Sequence, residues 1–341
     1  MRRKLVGLFA AVALSTLAST VKAGPVCLTN SKIGAQMNLP VYEWVDRTKP
    51  RKGTIVAVPG MTLYAMCWDQ FAKHLASQGY HVYSLDLRGF GRWRTDGAKF
   101  GGSNKIEIDQ SEQDLLDLVT DLRQEHPTQP LFCLGESLGS NMALDLVSEH
   151  PELTNGSILA SPCYKNRVHP KPMKWAGQLA IQMVRPNRPI NLEPYSAPYL
   201  TNDPALAKAC DNDPMIYRKM TPAELVKIDI LNDKAFSAAK KLPADYPILM
   251  IAGTQDAMFK SNELPKGIEK FGTHNVSLTL LPGRGHLLLE HQRVNKQIAV
   301  LVDGWLAHHS STAAVASAPA AKTRPASSTT TTTTKTKKNN K

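Results

Sequence analysis

Short runs of β-branched and aliphatic residues alternate with helical patterns along most of this chain. Apolar strands that alternate with helices are typical of a parallel sheet whose two faces are both covered. The strand runs lie at 53–58, 81–87, 131–135, 157–160, 247–252 and 276–281, and the helical patterns at 68–77, 107–124, 138–149, 263–271 and 288–307. The sequence therefore predicts an α/β fold with a mostly parallel central sheet and helices on both faces.

The alternation breaks between residues 162 and 245, which are rich in Pro, Asn, Lys and Met and contain no run that predicts a strand. Trp175, Leu179 and Met183 recur there at i, i+4 and i+8, a helical spacing. We predict a helical cap, inserted at about 163–245 into one sheet domain that spans 24–308. The three apolar residues are either part of an acyl site or ordinary packing within the cap.

Residues 1–23 have the pattern of a secretory signal peptide. A basic cluster at 2–4 precedes an apolar run at 5–18, and the small side chains of Val21 and Ala23 mark a cleavage point. The apolar run is shorter than the roughly 20 residues that span a bilayer. A cleaved signal is thus favoured over an uncleaved anchor, and we expect a secreted, periplasmic or envelope protein.

Residues 309–341 consist mainly of Ser, Thr, Ala, Pro and Lys and include six consecutive threonines. Such a segment buries too little apolar surface to offset the entropy of ordering it, so we predict a disordered tail. The tail holds six cations and residues 1–23 hold four, with no acid in either, so the formal charge of +12 becomes +2 for the body. A nearly neutral body argues against nucleic-acid binding, and the basic tail is either solvated or a weak contact for an anionic envelope or membrane surface.

The five cysteines, at positions 27, 67, 133, 163 and 210, form neither a CxxC pair nor a cluster with histidines. The sequence therefore predicts no metal site and no cofactor. Export permits disulfides, but an odd number of cysteines leaves at least one free thiol. Cys133 lies inside an apolar strand run, and we expect it to be a buried thiol.

The segment Gly135-Glu136-Ser137-Leu138-Gly139 stands where a predicted strand meets a predicted helix. A GxSxG pattern is weak by itself, but this position is the one that a nucleophile elbow requires. The sharp reversal strains the backbone of the serine and leaves no room for side chains two residues before and after it. Ser137 is the candidate nucleophile, and the alternative is a strand-helix turn without chemistry.

A serine nucleophile needs a base, and the base needs a carboxylate that orients it. Asp256 and His286 each follow a predicted strand, in the order serine, acid, histidine that suits this type of fold. The carboxyl ends of parallel strands share one edge, so both side chains can reach Ser137. Asp256 is the candidate acid and His286 the candidate base. Weaker rivals, inside the final helix or before a strand, are His291, Asp303 and Asp245.

Two backbone N–H groups should form an oxyanion hole. One belongs to Leu138, the residue after the nucleophile, and the other to Met61, which follows Gly60 in the loop after the first predicted strand. The alternative is an ordinary strand-helix loop. Asp86 and Arg88 lie in a segment that we interpret as a structural loop, and we expect their side chains to hold neighbouring loops by hydrogen bonds.

Together these residues resemble the monoacylglycerol lipase and lysophospholipase branch of the α/β-hydrolases, of serine aminopeptidase S33 type. The resemblance implies the α/β-hydrolase fold, with the catalytic serine, acid and base at Ser137, Asp256 and His286, and a cap that forms an acyl-binding tunnel. Pro59, Thr62 and Ser140 depart from the family pattern. The matching features, over about residues 40–308, are Pro59-Gly60-Met61, Asp86-x-Arg88-Gly89-Phe90-Gly91, Gly135-Glu136-Ser137-Leu138-Gly139, Gly253-x-x-Asp256 and Gly285-His286.

The working hypothesis is a serine esterase that cleaves lipid-like acyl esters, such as a monoacylglycerol or a lysophospholipid, through an acyl-enzyme. One alternative is a serine hydrolase of a thioester or of an N-terminal peptide residue, because one fold and triad serve many substrates. Another is a catalytically silent α/β-hydrolase that binds a ligand or the cell envelope. Dehalogenases and epoxide hydrolases are disfavoured because their elbow resembles an Asp nucleophile, and here it carries Ser137.

Overall fold

The computed structural model describes residues 24–166, 187–193, 197–290 and 293–312. Eight strands form one sheet in the order β1-β2-β4-β3-β5-β6-β9-β10, and a separate two-stranded pair is formed by β7 and β8. The strands are β1 (Val26–Leu28), β2 (Val41–Val45), β3 (Gly53–Val58), β4 (Tyr80–Leu85), β5 (Leu131–Glu136), β6 (Ser157–Ala160), β7 (Ile190–Asn191), β8 (Lys219–Met220), β9 (Ile248–Gly253) and β10 (Val276–Leu281).

The strands from β4 through β10 in the large sheet pair in parallel, which confirms the predicted mostly parallel sheet and all six predicted strand runs to within two residues. The sequence reading missed β1 and β2, which add an antiparallel edge. The β2 sequence, Val-Tyr-Glu-Trp-Val, has the β-branched and aromatic composition of a strand and was the available signal.

Helices cover both faces of the sheet, as predicted. One face packs against α4, α5 and α8, and the other against α2 and α10, with alternate strand residues pointing into the two cores. The helices are α1 (Lys32–Met37), α2 (Asp69–Ser77), α3 (Gly91–Asp96), α4 (Ile108–Glu125), α5 (Leu138–Glu149), α6 (Ala197–Leu200), α7 (Pro204–Asn212), α8 (Pro222–Ala238), α9 (Leu264–Ile268) and α10 (Lys296–Thr312).

The segment between β6 and β9 differs from the sequence prediction in two ways. It contains the short antiparallel strands β7 and β8, where no strand was expected. Its last helix, α8, buries Ile228, Leu231 and Ala235 in the same core as α5. The C-terminal part of the predicted insertion therefore packs as a layer of the sheet domain, because these buried residues of α8 face the core that α5 also lines.

The final helix begins at Lys296, so its predicted start at Leu288 is wrong. Leu288 and Leu289 are buried, but in the irregular segment that follows β10. Asn295 accepts hydrogen bonds from the N–H groups of Gln297 and Ile298, a side-chain cap that sets the helix start. The helix continues to Thr312, four residues into the segment predicted as a tail.

All five cysteines are free thiols, and Cys133 is buried in β5, as predicted. Within the described ranges, no helix is both long and apolar enough to cross a membrane. Residues 1–23 and 313–341 lie outside the described residues, so the signal peptide and the disordered tail stay predictions.

Candidate active site

Ser137 lies between β5 and α5, where the chain turns from strand to helix. Its backbone has φ 55° and ψ −124°, and a positive φ is uncommon for a residue other than glycine. Its N–H donates to the carbonyl oxygen of Ala160, in the neighbouring strand β6, at 3.0 Å. The strained turn is thus tied to the sheet and carries the hydroxyl at the sheet's carboxyl edge.

Close packing around this turn explains its two glycines. A Cβ on Gly135 would overlap the carbonyl oxygen of Gly139, and a Cβ on Gly139 would overlap that of Val58 in β3. Ser140, one of the departures from the family pattern, donates its hydroxyl toward the carbonyl oxygens of Gly135 (2.8 Å) and Ala160 (2.6 Å). Its polar side chain therefore serves as an additional tie between the turn and β6.

Asp256 and His286 approach Ser137 from the loops that follow β9 and β10. His286 Nδ1 lies 2.8 Å from Asp256 Oδ2, and His286 Nε2 lies 2.8 Å from Ser137 Oγ. All three side chains are buried. The structure thus joins a carboxylate, an imidazole and a hydroxyl in one continuous chain of hydrogen bonds.

The environment of Asp256 favours its ionised form. Burial alone would raise the pKa of Asp256, but the charge and hydrogen bond of His286, with the N–H groups of Phe259 and Met258, bring that pKa below its usual value. Those two N–H groups donate to Oδ1 at 2.9 and 2.8 Å. An ionised Asp256 only accepts, so the ring proton of neutral His286 sits on Nδ1, and Nε2 is left to accept from Ser137.

The two predicted oxyanion donors flank Ser137. Leu138 is the first residue of α5, so its N–H has no acceptor within the helix. The loop that carries Met61 touches Ser137, since a Cβ on Gly60 would lie 3.3 Å from Ser137 Cβ. The next residue, Thr62, has φ 71°. These positions suit two converging N–H groups, and their donor role stays a prediction.

Asp86 and Arg88 hold neighbouring loops, as the sequence predicts. Asp86 Oδ1 accepts from the N–H of Ala65 and Oδ2 from that of Arg92, both at 2.8 Å. Burial raises the pKa of Asp86 to about 6, against the opposing effect of those N–H groups and of the Arg92 charge. Arg88 donates from Nε and Nη2 to the carboxylate of Asp114, at 2.6 and 2.9 Å. Asp86 thereby braces the segment that follows the predicted oxyanion loop.

The rival acids lie away from the three converged side chains. Asp303, on α10, is hydrogen-bonded to His74 Nε2 at 2.9 Å, and Asp245 is exposed to solvent. Four further predicted positions lie outside the described residues: the rival base His291 and the cap residues Trp175, Leu179 and Met183.

The sequence did not predict that the segment after β6 contacts Ser137 and His286. Cys163 Sγ lies 3.7 Å from Ser137 Oγ, and Asn141 exchanges two hydrogen bonds with the backbone of Cys163, at 2.9 and 3.1 Å. Ser161 Oγ donates to the carbonyl oxygen of His286 at 2.5 Å. Burial raises the pKa of Cys163 to about 12, so it stays a thiol. The available signal was the position of Ser161 and Cys163 directly after a predicted strand.

A cavity of about 630 Å³ opens beside Cys163, in the size range of small-molecule pockets. Its lining combines polar and charged groups with two aromatic rings. Its lining residues include Cys163, Tyr164, Asp229, Asn232, Phe236 and Lys270. The cavity thus reaches the thiol that contacts Ser137, but its described lining includes none of Ser137, Asp256 and His286.

Comparison with known proteins relates this geometry to enzymes. A family model described as Serine aminopeptidase, S33 matches residues 49–293. The chain is similar to a monoacylglycerol lipase from Mycolicibacterium smegmatis, with 26% identity over 274 residues that cover 79% of this chain and 93% of that protein. It is also similar to human monoglyceride lipase, with 25% identity over 249 residues that cover 72% of this chain and 79% of that protein.

Two solved structures share the fold. The monoacylglycerol lipase of Paleococcus ferrophilus superposes with a TM-score of 0.65 at 17% identity, covering 80% of this chain and 99% of that one. A soluble variant of the Saccharomyces cerevisiae monoglyceride lipase, in complex with a substrate analog, gives 0.66 at 20% identity, covering 79% and 92%. The sheet order, the elbow and these likenesses agree with the predicted fold class and with the family resemblance, and the chain belongs to the serine aminopeptidase S33 family of α/β-hydrolases.

Proposed function

We propose that the protein is a serine hydrolase that cleaves carboxylic esters of lipid-like acyl chains, with Ser137 as nucleophile, His286 as base and Asp256 as the acid that orients the base. The hydrogen-bonded chain from Asp256 through His286 to Ser137 carries the proposal. A serine hydroxyl held at a positive-φ turn against an oriented imidazole is the arrangement that acyl transfer requires.

In the proposed reaction, Ser137 Oγ attacks the ester carbonyl while His286 Nε2 takes the hydroxyl proton. The charge that forms on the carbonyl oxygen is stabilised by the N–H groups of Met61 and Leu138. Asp256 stabilises the imidazolium through Nδ1, and His286 then passes its proton to the leaving alcohol. Water, activated by the same base, attacks the acyl-enzyme, and the acid product leaves Ser137 with its proton restored.

The substrate class rests on the relatives. The two similar proteins named above are a monoacylglycerol lipase and a monoglyceride lipase, and both matches span more than two thirds of each chain. We therefore propose that the substrate is a monoacylglycerol, or an ester of similar chemistry such as a lysophospholipid.

A substrate panel tests this proposal. The purified protein would be assayed against monoacylglycerols of increasing acyl length, lysophospholipids, acyl thioesters and aminoacyl anilides, beside Ser137→Ala. We expect turnover of the oxygen esters, with kcat/KM that rises with acyl length and disappears in the variant.

Each alternative has its own outcome in the same panel. Turnover of the thioesters or anilides in preference to the oxygen esters would replace the ester proposal by the corresponding hydrolase. Absence of turnover with every substrate by well-folded protein would favour a ligand-binding α/β-hydrolase. A kcat/KM that does not depend on acyl length would refute the proposal of a lipid-like substrate.

We also propose that the protein is exported and that residues 1–23 are removed. The basic, apolar and small-residue pattern of that segment supports this. Intact-mass measurement of the protein from a secreting host should give a chain that begins at Gly24. A mass that retains Met1 would refute cleavage.

A further inference from the structure

Glu136, the residue before the nucleophile, carries a fully buried carboxyl that the proposed reaction does not use. Its Oε1 accepts a hydrogen bond from the N–H of Leu288 at 2.6 Å, and the N–H of Leu289 also donates to this carboxyl. Both leucines lie within three residues after His286 in the chain. The side chain of Glu136 therefore links the elbow to the segment that carries the base.

A second buried carboxyl faces the first. Glu290, only 7% exposed, lies within hydrogen-bonding reach of Glu136. Glu136 Oε2 and both carboxyl oxygens of Glu290 have no N–H or O–H donor among the described residues. Three buried acceptor oxygens without a donor are costly unless one of the two carboxyls carries a proton.

The described groups around the pair are mainly neutral thiols and a further acid. Cys67 and Cys210 lie near Glu290, and burial raises the pKa of both thiols, that of Cys210 to about 11, so both stay neutral. Asp213 adds a further negative charge to this neighbourhood. The cation beside Cys210 is Arg218, whose Nη2 donates to the carbonyl oxygen of Cys210. Two carboxylates held together in this setting cannot both ionise at moderate cost.

The pair and the groups near it come from separate parts of the chain. The pair is on β5 and on the segment after β10, the thiol of Cys67 is on the 3-10 turn Ala65–Trp68, and Cys210 is on α7. His286 faces Asp256 and Ser137 and has both ring nitrogens engaged there. Burial and the neighbouring Glu290 carboxyl hold the pKa of Glu136 well above its usual range.

We propose that Glu136 and Glu290 share one proton and that this acid pair is a positioning device, which fixes the His286 segment against the nucleophile elbow. This inference rests on the proposed function only for its effect on catalysis. The proton bridges Glu136 Oε2 and Glu290, which leaves Oε1 free to accept from Leu288 and Leu289. Loss of the proton places two negative charges side by side, and their repulsion loosens the segment that carries His286.

Infrared spectroscopy tests the proton without any substrate. The wild type at pH 8, where Asp86 with its pKa of about 6 is ionised, should show the C=O stretch of a protonated carboxyl. Glu136→Gln and Glu290→Gln should each lose it, because an amide supplies the bridging donor and the remaining carboxyl ionises. Glu263→Gln, at a surface glutamate paired with Lys266, is the matched control and should keep it.

Catalysis then tests positioning. Glu290→Gln should keep kcat near neutral pH within about threefold of the wild type, because the amide restores the bridge, whereas Glu136→Ala should lower kcat by about 10- to 100-fold through misplacement of the base. The wild-type rate should fall at alkaline pH as the shared proton leaves, and Glu290→Gln should lack that fall. If Glu290 had only a structural role, Glu290→Gln would still show the fall in rate at alkaline pH.

Three results would overturn the inference. A protonated-carboxyl band that survives in both glutamine variants places the proton elsewhere, and one that Glu290→Gln keeps but Glu136→Gln loses shows that burial of Glu136 alone holds it. An unchanged alkaline limb in Glu290→Gln removes the positioning role. Because the infrared result needs no turnover, failure of the ester-hydrolase proposal and failure of the acid pair are distinguishable.

Discussion

Replacement of Asp256 by Asn tests how the base is oriented. Asp256 Oδ1 accepts from the N–H groups of Met258 and Phe259, while Oδ2 faces Nδ1 of His286. The two N–H groups can only be satisfied by the amide oxygen of an asparagine, so its NH2 group must point at Nδ1. A donor at that place forces the ring proton onto Nε2, which then cannot accept the proton of Ser137.

The size of the effect follows from that change of tautomer. We expect Asp256→Asn to lower kcat by about 10⁴-fold, which corresponds to about 5.5 kcal/mol of transition-state stabilisation. The shape of the side chain is preserved and one neutral hydrogen bond replaces a charged one, so the fold should survive. A thermal melt recorded beside the ester-hydrolysis assay separates loss of catalysis from loss of structure.

A matched control is available in the same chain. Asp303 is hydrogen-bonded to His74 Nε2 at 2.9 Å, an aspartate-histidine pair of similar distance between α2 and α10. Asp303→Asn should leave kcat within about twofold, because this pair contacts none of Ser137, Asp256 and His286 among the described residues, and a partly exposed pair contributes little to stability. Loss of less than tenfold in Asp256→Asn, or an equal loss in the control, would refute the account of how His286 is oriented.

Two further predictions concern the structure around the site. Gly139→Ala should destabilise the fold by at least about 3 kcal/mol in urea unfolding, because backbone oxygens cannot move aside for the added Cβ. Gly304→Ala, which has open space around it, should instead stabilise the protein by about 0.5–1 kcal/mol. Equal effects of the two substitutions would refute the crowding at Gly139. Burial raises the pKa of Asp86 to about 6, so the folded chain binds the extra proton and the unfolding free energy should fall by about 3 kcal/mol as pH rises from about 4 through 6. Asp86→Asn should flatten that slope, and an unchanged slope would assign it to other groups.

The sequence predicted the parts of the fold that depend on local pattern. The strand runs and the elbow are short segments whose composition and periodicity are readable, and parallel topology then brings their carboxyl ends to one edge. That is why Ser137, Asp256 and His286 could be named together although 149 residues separate the first from the last. The convergence follows from topology rather than from any local signal.

What the sequence did not predict depends on contacts between distant segments. The predicted final helix began at about Leu288 because apolar residues recur at helical spacing further along it, yet Glu136 binds the N–H groups of Leu288 and Leu289 in an irregular segment. Cys163 reaches Ser137 only through the path that the chain takes after β6. Side-chain to backbone bonds of this kind leave no periodic trace in the sequence.

Labelling with a fluorophosphonate probe tests directly whether Ser137 is an activated nucleophile. The purified protein would be treated with the probe, and the modified residue would be mapped by mass spectrometry beside Ser137→Ala. We expect one labelled site at Ser137, with labelling lost in Ser137→Ala and strongly slowed in Asp256→Asn. Absence of labelling in well-folded protein, or labelling at another residue that persists in Ser137→Ala, would contradict an activated serine at this elbow.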